Sequence, residues 1–305
     1  MIIQDCTFTP ILIDSRSLRK GILLTLTSQD GEKASAEISP LPGYSRESLE
    51  DAQLQLRLLE RRLLNTWWSK QTLQSLFHLD LYPSVHFGVE SALLDLLDPL
   101  PKEQSCPQYA LLLGSPQEIS QRADEVYEQG FRHAKVKLGH LPLPEAHQII
   151  EIVDDRFSLR IDLNRKWSLE QTLSFCKNYA PDTFEYIEEP AHFAHELAEF
   201  PYPFALDESI RENWRCLEPL AKLKQFKAII LKPTMIYPLS RFFDLGKKIV
   251  LTSSFEGPTG IAQIRKLAQR LKLLSTHHGL DTLRYFEKGA EHGPMSHRPL
   301  ERAAT

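Results

Sequence analysis

The stretch Ala134-Lys135-Val136-Lys137-Leu138 decides the fold of this chain of 305 residues. Residues two apart on a β-strand face the same side, so the three apolar side chains share one face and both lysines share the other. Taken alone, this pattern is typical of a surface strand whose lysines lie in water. In a closed parallel barrel both faces of the sheet are covered, and a lysine-bearing face must then point into the barrel interior.

Two later stretches carry carboxylates at the ends of apolar strands. They are Arg160-Ile161-Asp162-Leu163-Asn164 and Tyr186-Ile187-Glu188-Glu189-Pro190. The period of two puts Arg160, Asp162 and Asn164 on one face, and it selects Glu188 rather than Glu189 as the inward carboxylate. Taken alone, an aspartate at a strand end is more often a helix cap or a turn residue.

Two more stretches add a third carboxylate and a third lysine. They are Leu206-Asp207-Glu208-Ser209 and Ala228-Ile229-Ile230-Leu231-Lys232-Pro233. Asp207 follows the apolar residues directly, so we predict that it, rather than Glu208, points into the site. Lys232 ends its strand immediately before a proline.

The second part of the chain alternates short strands with helical stretches, which predicts a parallel sheet. The predicted strands are Tyr109 to Leu113, Ala134 to Leu138, Ser158 to Leu163, Phe184 to Ile187, Phe204 to Leu206, Ala228 to Leu231 and Ile249 to Thr252. Their spacing is slightly below the roughly 30 residues per unit of an eight-unit barrel. The competing architecture, a doubly wound open sheet, usually begins with a glycine-rich turn, and the sequence contains no G-x-G-x-x-G motif.

The three lysines and three carboxylates are explained together if all of them lie at one end of a barrel. Active sites of parallel barrels lie at the carboxyl ends of the strands, and buried charges there need partners. Three carboxylates in one barrel mouth repel each other unless a cation neutralises them, and ligation by oxygen alone favours a hard ion. We therefore predict that Asp162, Glu188 and Asp207 bind Mg²⁺, with Mn²⁺ as a substitute, and that the lysines act as a base and as charge stabilisers.

Composition excludes several classes of partner. The net charge of −4 does not favour binding to nucleic acid or to an anionic membrane surface. No apolar run approaches the roughly 20 residues of a membrane-spanning helix, and residues 1 to 13 do not resemble a signal peptide. The four cysteines are far apart and form no Cys-x-x-Cys pair. We expect reduced thiols in a cytoplasmic enzyme that acts on a small molecule.

The first hundred residues mix strands and helices and are predicted to form a separate α+β domain. The predicted elements are strands at Ile11 to Ile13 and Gly21 to Thr27, and helices at Glu47 to Trp68 and Pro83 to Leu97. Ser45 is the predicted N-cap of the first helix, which is expected to lack a capping box. The polar segment Pro99 to Cys106 holds two prolines and is a natural boundary. The predicted division is residues 1–100, 101–284 and a C-terminal segment, 285–305, for which a return to the first domain is one expectation.

The ordered series of lysines and acids resembles the enolase superfamily. Within it, four stretches resemble the o-succinylbenzoate synthases: Ile38 to Glu47, Pro83 to Gly88, Asp162 to Trp167 and Gly279 to Leu283. The resemblance implies a modified TIM barrel, (β/α)₇β, covered by the α+β capping domain. It also implies that the segments Ser15 to Gly21 and Pro40 to Tyr44 close over the site.

The resemblance assigns roles to residues. It implies that Lys137 is the base, that Lys135 and Lys232 are cationic partners in catalysis, and that the three carboxylates are the metal ligands. Thr252 and Ser254 are assigned to substrate binding, although the family is expected to have serine at the position of Thr252. Arg160 is predicted to lie inside the barrel and to orient an anionic substrate because it shares the strand face of Asp162. An ion pair between Arg160 and a metal-binding carboxylate is the alternative for that residue. Asn164, Glu189 and Glu208 are expected to contact the metal ligands without binding the ion themselves. Solvent exposure is the alternative for Glu189.

The implied reaction is the syn dehydration of 2-succinyl-6-hydroxy-2,4-cyclohexadiene-1-carboxylate to o-succinylbenzoate, a step of menaquinone or phylloquinone biosynthesis. Three alternatives remain at this point. Another superfamily activity, N-succinylamino acid racemisation or dipeptide epimerisation, would use the same lysines. A metal-free lyase would use Lys137 or Lys232 as a Schiff-base nucleophile. A binding protein with a degenerate site is the third. The oligomeric state is left open, and a monomer is compatible with the sequence.

Overall fold

The computed structural model describes residues 1–15, 17–102 and 104–287, apart from the side chains of residues 154, 216 and 287. The amino-terminal part contains β1 (Ile3–Asp14), β2 (Arg19–Ser28), β3 (Lys33–Ile38), α1 (Leu49–Asn65), α2 (Lys70–Leu73) and α3 (Pro83–Leu97). The three strands form one antiparallel sheet in the order β1-β2-β3. This sheet and the helices share an apolar core, to which Leu24, Leu56 and Val89 belong.

The first predicted helix begins later than expected, at Leu49 rather than Glu47, and it ends at Asn65 rather than Trp68. Its N-cap is Ser48, not the predicted Ser45. The Ser48 hydroxyl accepts a hydrogen bond from the Asp51 amide, and the Asp51 carboxylate accepts one from the Ser48 amide, so a capping box is present. The prediction was wrong because the Ser45 hydroxyl serves the preceding loop, where it accepts a hydrogen bond from the Leu41 amide.

The remaining elements alternate strand and helix. The strands are β4 (Ala110–Leu112), β5 (His133–Lys137), β6 (Ser158–Asp162), β7 (Phe184–Glu188), β8 (Phe204–Leu206), β9 (Phe226–Leu231) and β10 (Lys248–Leu251). The helices are α4 (Pro116–Glu128), α5 (Leu143–Val153), α6 (Leu169–Cys176), α7 (Glu208–Glu212), α8 (Leu217–Leu220), α9 (Pro258–Arg270) and α10 (Arg284–Glu287). Short 3₁₀ helices occupy Gln74–His78, Asp154–Arg156, Ala194–Glu199, Trp214–Cys216 and Ser240–Leu245.

All seven strands of this second part pair in parallel, in the order β4 to β10 along the sheet. The sheet closes through a short segment after α9. Gly279 pairs with Thr252 at the end of β10, and His278 pairs with Gln108 just before β4, both in parallel. This segment takes the place of an eighth strand, so the predicted (β/α)₇β barrel with a capping domain is confirmed.

Alternation along the strands separates two apolar layers. Residues such as Val136, Ile161 and Ile229 face the helices and belong to a large core outside the barrel. The inward positions form a smaller cluster inside it: Tyr109, Tyr186, Ala205, Ala228, Ile230 and Val250. This interior cluster fills the barrel below the charged strand ends, so the site is a shallow mouth above a packed core rather than a channel.

None of the helices in the described residues combines the length and the apolar character that crossing a membrane requires.

Candidate active site

Three of the predicted residues lie level with one another on neighbouring strands. The pairing of β5 with β6 sets Lys137 opposite Asp162, and the pairing of β6 with β7 sets Asp162 opposite Glu188. Each is the last residue of its strand. The strand ends therefore place a lysine and two carboxylates side by side at the carboxyl edge of the barrel, as the period of two predicted.

Lys135 lies two residues before Lys137 on β5 and faces the same side. Its side chain extends toward the strand ends, between Asp162 and Glu188. Its ammonium Nζ is 2.6 Å from Glu188 Oε1 and 2.9 Å from Asp162 Oδ2. Burial by itself would lower the pKa of Lys135, but the Asp162 and Glu188 carboxylates raise it well above its usual value. Lys135 is therefore a fixed cation, which suits a charge stabiliser and not a base.

The Asp207 carboxylate pairs with the Lys232 ammonium on the other side of the mouth. Asp207 is almost fully buried, whereas Lys232 is partly open to the cavity. Burial would lower the pKa of Lys232, but Asp207 and then Glu208 raise it. The third carboxylate and the third lysine thus meet as predicted, and Lys232 is also held in its charged form.

The acids themselves are shifted in opposite directions. Burial raises the pKa of Glu188 to about 8, against the opposing effect of Lys135. Burial also acts to raise the pKa of Asp162, but Lys135 and then Lys137 outweigh it and hold that pKa well below its usual range. A buried carboxylate whose negative charge is not fully compensated is what a site for an additional cation would show.

The carboxylates of Asp162, Glu188 and Asp207 are chemically suited to a hard divalent metal ion. In the structure, however, these side chains are not arranged around a common ion position. Within the described part of the chain, Glu188 Oε2 is buried without a hydrogen-bond partner. All three candidate ligands supply carboxylate oxygens, the ligands that Mg²⁺ prefers. In those same residues, however, no group of three His, Cys, Asp or Glu side chains is already close enough to hold an ion. The ammonium groups of Lys135 and Lys232 pair with the acids instead.

Glu189 is buried and not exposed to solvent. Its carboxylate accepts hydrogen bonds from the backbone amides of Asp207, at 2.7 Å, and Ser209, at 2.8 Å, and from the Ser209 hydroxyl, at 2.6 Å. These bonds fix the main chain at Asp207, which supports the predicted role of Glu189 behind the metal ligands.

Asn164 connects two other members of the predicted set. Its backbone amide donates to Asp162 Oδ1 at 3.0 Å, and its side-chain amide donates to Glu208 Oε1 at 3.2 Å. Its side-chain oxygen accepts from Lys137 Nζ at 3.4 Å. Asn164 therefore orients both the predicted base and a predicted metal ligand.

Strained backbone is concentrated around the site. Four residues with φ in the left-handed region follow strand ends at the barrel mouth: Asn164 (φ 45°), Arg165 (φ 58°), Glu189 (φ 49°) and Phe255 (φ 61°). Non-glycine residues adopt this conformation at a cost, and such residues cluster where function requires a particular side-chain direction.

A cavity of about 400 Å³, counted to its open mouth, brings the three lysines together. Its lining consists of Tyr109, Leu111, Lys135, Lys137, Lys232, Thr252, Ser253, Phe255, Gly279, Asp281 and Thr282. Tyr109, Ser253, Phe255 and Asp281 were not among the predicted site residues, although Asp281 lies in the stretch Gly279 to Leu283 that carries the family resemblance. Tyr109 could have been found by extending the period of two back from β4, but the others lie on loops without a periodic pattern.

Strand seven of the barrel departs from the prediction for Ser254. Thr252 and Ser253 line the cavity, whereas the Ser254 hydroxyl lies 3.1 Å from the Thr234 hydroxyl. The side chains after Leu251 do not alternate between the two faces of the sheet, because β10 ends there and the chain turns. These contacts favour Ser253 over Ser254 as the second hydroxyl at the cavity wall.

Arg160 lies inside the barrel, as predicted, but below the site. Its Nε donates to Glu185 Oε2 at 3.0 Å, one terminal nitrogen donates to the His277 carbonyl at 2.9 Å, and its guanidinium lies over the Tyr109 and Tyr186 rings. The ion-pair partner is thus not one of the predicted metal ligands. The contacts favour a structural role over the predicted substrate contact.

Both predicted covering segments reach the barrel mouth. In the segment Pro40 to Tyr44, the Tyr44 carbonyl accepts a hydrogen bond from Arg211 at 3.4 Å, four residues beyond Asp207. In the segment Ser15 to Gly21, of which residue 16 lies outside the described residues, Arg19 contacts the chain after β10.

Comparison with known proteins identifies the family. Residues 9–96 match the model for the N-terminal domain of MenC, and residues 118–236 match the enolase C-terminal domain-like model. The chain is 32% identical to the o-succinylbenzoate synthase of Haemophilus influenzae over 289 residues, which cover 88% of this chain and 84% of the relative. The chain belongs to the o-succinylbenzoate synthase family of the enolase superfamily. The family resemblance seen in the sequence is confirmed.

Solved structures show the fold of this family but do not separate its activities. A dipeptide epimerase from Enterococcus faecalis V583 has a TM-score of 0.78 at 18% identity, over 92% of this chain and 90% of that chain. An o-succinylbenzoate synthase from Thermosynechococcus elongatus BP-1, complexed with Mg in its active site, has a TM-score of 0.66 at 21% identity, over 88% of this chain and 90% of that chain. The sequence relatives, and not the shape of the barrel, therefore decide the family.

Proposed function

We propose that this protein is an o-succinylbenzoate synthase, a carbon–oxygen lyase that dehydrates 2-succinyl-6-hydroxy-2,4-cyclohexadiene-1-carboxylate to o-succinylbenzoate in menaquinone or phylloquinone biosynthesis. The observation that carries the proposal is the opposed placement of Lys137 and Lys232. In the ring of seven strands and one closing segment, β5 and β9 are four positions apart, and both lysines line one cavity. A substrate ring between them has one lysine on each side.

The two lysines differ in how firmly they are held. Lys232 pairs closely with Asp207. Lys137, by contrast, has among the described residues only a hydrogen bond of 3.4 Å to Asn164 and an ion-pair distance of 3.6 Å to Asp162. About a third of the Lys137 side chain is exposed. Lys137 is therefore assigned the removal of the proton adjacent to the substrate carboxylate. Lys232 is assigned as the fixed cation on the other side, which stabilises the negative charge that develops.

The same lysine that removes the proton can complete the dehydration. After proton transfer, Lys137 is an ammonium group next to the ring hydroxyl if both groups leave from one face. It returns a proton to the departing hydroxyl, so water leaves and the ring becomes aromatic. This requires a syn elimination. Lys135 contributes by neutralising Asp162 and Glu188 from below.

Asp162, Glu188 and Asp207 are the residues proposed to hold Mg²⁺, with Mn²⁺ as a substitute. When bound, the ion would supply positive charge at the substrate carboxylate and so increase the acidity of the adjacent C–H bond. The unpartnered Glu188 oxygen and the all-oxygen donor set support this assignment.

Turnover of the cyclohexadiene substrate, measured with Mg²⁺ and again with excess chelator, tests the proposal. Dehydration that requires the metal is expected. Full activity in chelator would refute the metal assignment. Proton exchange into a succinylated amino acid or a dipeptide, without dehydration, would assign the lysines to racemisation or epimerisation instead.

We also propose a domain division, a partner class and a location for this protein. Of the proposed division into residues 1–100, 101–284 and 285–305, the boundary near residue 100 is supported by separate apolar cores on either side of it, although Phe87 of α3 packs with the barrel core. The boundary after residue 284 falls inside α10, and the Tyr285 hydroxyl donates to the Leu111 carbonyl of β4 at 2.5 Å, so the described start of the C-terminal segment contacts the barrel. Residues 288–305, the remainder of the segment 285–305 for which a return to the cap was an expectation, lie outside the described residues. A small carboxylate as partner and a cytoplasmic location are likewise proposed. The oligomeric state is left open, with a monomer compatible with the sequence, and size-exclusion chromatography would determine it.

A further inference from the structure

We propose that Arg19 and Glu37, two buried residues of the capping sheet, are positioning residues that hold the strand-seven wall of the active site. This wall is defined here as residues 252–256, which follow β10. The inference rests on the proposed function, in which Thr252 and Ser253 face the substrate. Neither Arg19 nor Glu37 lines the cavity, so both act through the wall.

Glu37 caps a helix of the barrel from the capping domain. The N-cap of α9 is Gly257, which has no side chain to satisfy the free amides of the first turn. The Glu37 carboxylate accepts from the Gly257 amide at 2.9 Å and from the Gly260 amide at 3.0 Å. A carboxylate at this position is also favoured by the helix dipole. Glu37 thus supplies what an N-cap side chain normally supplies, from more than two hundred residues away.

The two glycines make room for this carboxylate. A Cβ atom at Gly257 would lie 2.9 Å from Glu37 Oε2, and one at Gly260 would lie 3.0 Å from Glu37 Oε1 and 2.5 Å from Glu256 Cβ. The backbone of Glu37 is fixed as well, because its amide donates to Gln263 Oε1 at 2.5 Å. The contact between β3 and the start of α9 therefore has a defined register.

Arg19 holds the other end of the wall. Its guanidinium donates to the carbonyl of Ser254 at 2.8 Å, to the carbonyl of Phe255, and to the carbonyl of Ser39 at 2.8 Å. Three carbonyl groups on two separate segments match the planar, multiple donors of arginine better than the single ammonium of lysine. The left-handed conformation of Phe255 lies at this contact, so Arg19 stabilises the strained turn directly.

The wall is also held from the barrel side. The Glu256 carboxylate accepts from the Ser253 hydroxyl at 2.6 Å, the Ser254 amide at 2.6 Å and the Thr234 hydroxyl at 2.5 Å. With Arg19 and Glu37 on the cap side, the segment between Thr252 and Gly257 is fixed at both ends. The position of the Thr252 and Ser253 hydroxyls then depends on how the capping domain packs against the barrel.

The test compares Glu37→Gln and Arg19→Lys with a control variant of another capping-domain residue that contacts α9. Asp95 of α3 pairs with Lys266 and Arg270 on the distal part of α9, so Asp95→Asn weakens a cap–barrel contact that does not touch the wall. The measurements are kcat, KM, inhibition by the product o-succinylbenzoate, and the melting temperature. We expect Glu37→Gln and Arg19→Lys to raise KM and the product inhibition constant about tenfold, with Mg²⁺ affinity within about twofold of the parent. We expect Asp95→Asn to leave KM within about twofold.

Thr252→Val separates this inference from the proposed function. If Thr252→Val leaves KM unchanged, the assignment of the wall to the substrate fails. If Thr252→Val raises KM but folded Glu37→Gln and Arg19→Lys do not, the positioning inference fails. It fails equally if Asp95→Asn raises KM as much as they do. Should Glu37→Gln not fold, Arg19→Lys and Glu37→Asp carry the same comparison.

Discussion

The two ends of the barrel differ in how completely a buried carboxylate is paired. Two glutamates of β7, Glu188 and Glu185, show the difference. At the upper, carboxyl end, burial raises the pKa of Glu188 to about 8, and one of its oxygens lacks a hydrogen-bond partner within the described residues. Three residues earlier, Glu185 contacts Arg160, Ser158 and His133. Burial would raise the pKa of Glu185, but Arg160 and then Ser158 and His133 lower it to about 2.

A local irregularity makes the lower network possible. The register between β6 and β7 shifts so that Glu185 lies between the partners of Leu159 and Arg160. An extra residue in one strand re-aims its side chain, and here it turns the carboxylate to the guanidinium. The lower end therefore uses charge to hold the barrel together, whereas the upper end keeps charge incompletely compensated, as expected of a functional site.

The largest effect is expected from Lys137→Ala at the upper end. Loss of a general base should reduce kcat by a factor of about 10³ or more, and it should also stop exchange of the substrate proton with solvent. The melting temperature should change little, because Lys137 is partly exposed and loosely held. Steady-state kinetics and proton exchange in deuterated water measure both outcomes. Lys227→Ala, an exposed lysine on β9, is the control. Substantial dehydration by Lys137→Ala, with none by Lys232→Ala, would exchange the two roles.

Asp207→Asn is expected to separate metal binding from stability at the same end. Removal of one carboxylate ligand should weaken Mg²⁺ binding at least about tenfold, while the metal-free variant remains folded. Titration calorimetry gives the affinity, and the melting temperature with and without Mg²⁺ gives the coupling. Asp30→Asn, at an exposed turn, serves for comparison. Unaltered Mg²⁺ affinity would remove Asp207 from the ligand set.

At the lower end, Glu185→Gln should reduce stability and leave catalysis nearly unchanged. It leaves the Arg160 guanidinium without its carboxylate, so the free energy of unfolding at pH 7 should fall by about 1–3 kcal/mol, with kcat within a few-fold of the parent. Because the folded pKa of about 2 is below the ordinary value of 4.5, the stabilisation is complete above pH 4.5 and is lost as the pH falls toward 2. Denaturant unfolding from pH 7 to pH 3 should show the two proteins converging in acid. A difference that is constant with pH would contradict this origin.

The smallest effect is expected from Thr252→Ser at the cavity wall. The substitution keeps the hydroxyl and removes one methyl group, so kcat/KM should stay within about threefold. This variant also tests the family expectation of serine at this position. A drop of tenfold or more would mean that the methyl group, and not the hydroxyl alone, shapes the wall.

Much of the site could be predicted because strand periodicity and strand ends are local properties. The inward positions of Lys135, Asp162 and Glu188 follow from the period of two, and Asp207 and Lys232 follow from where the apolar runs stop. Strand periodicity gives no information where a strand has already ended, as at Ser254, or where an extra residue changes the direction of a side chain, as at Glu185.

What the sequence by itself determined is the order of strands, the barrel class and the charged residues at the strand ends, because each depends on alternation within a few neighbouring residues. Only the tertiary structure decided which groups neutralise them. The contacts of Arg160 with the His277 carbonyl, of Arg19 with the Ser254 carbonyl and of Glu37 with the Gly257 amide join positions more than a hundred residues apart. Hydrogen bonds of this kind depend on barrel closure and on the seating of the cap, and no local pattern of side chains specifies either.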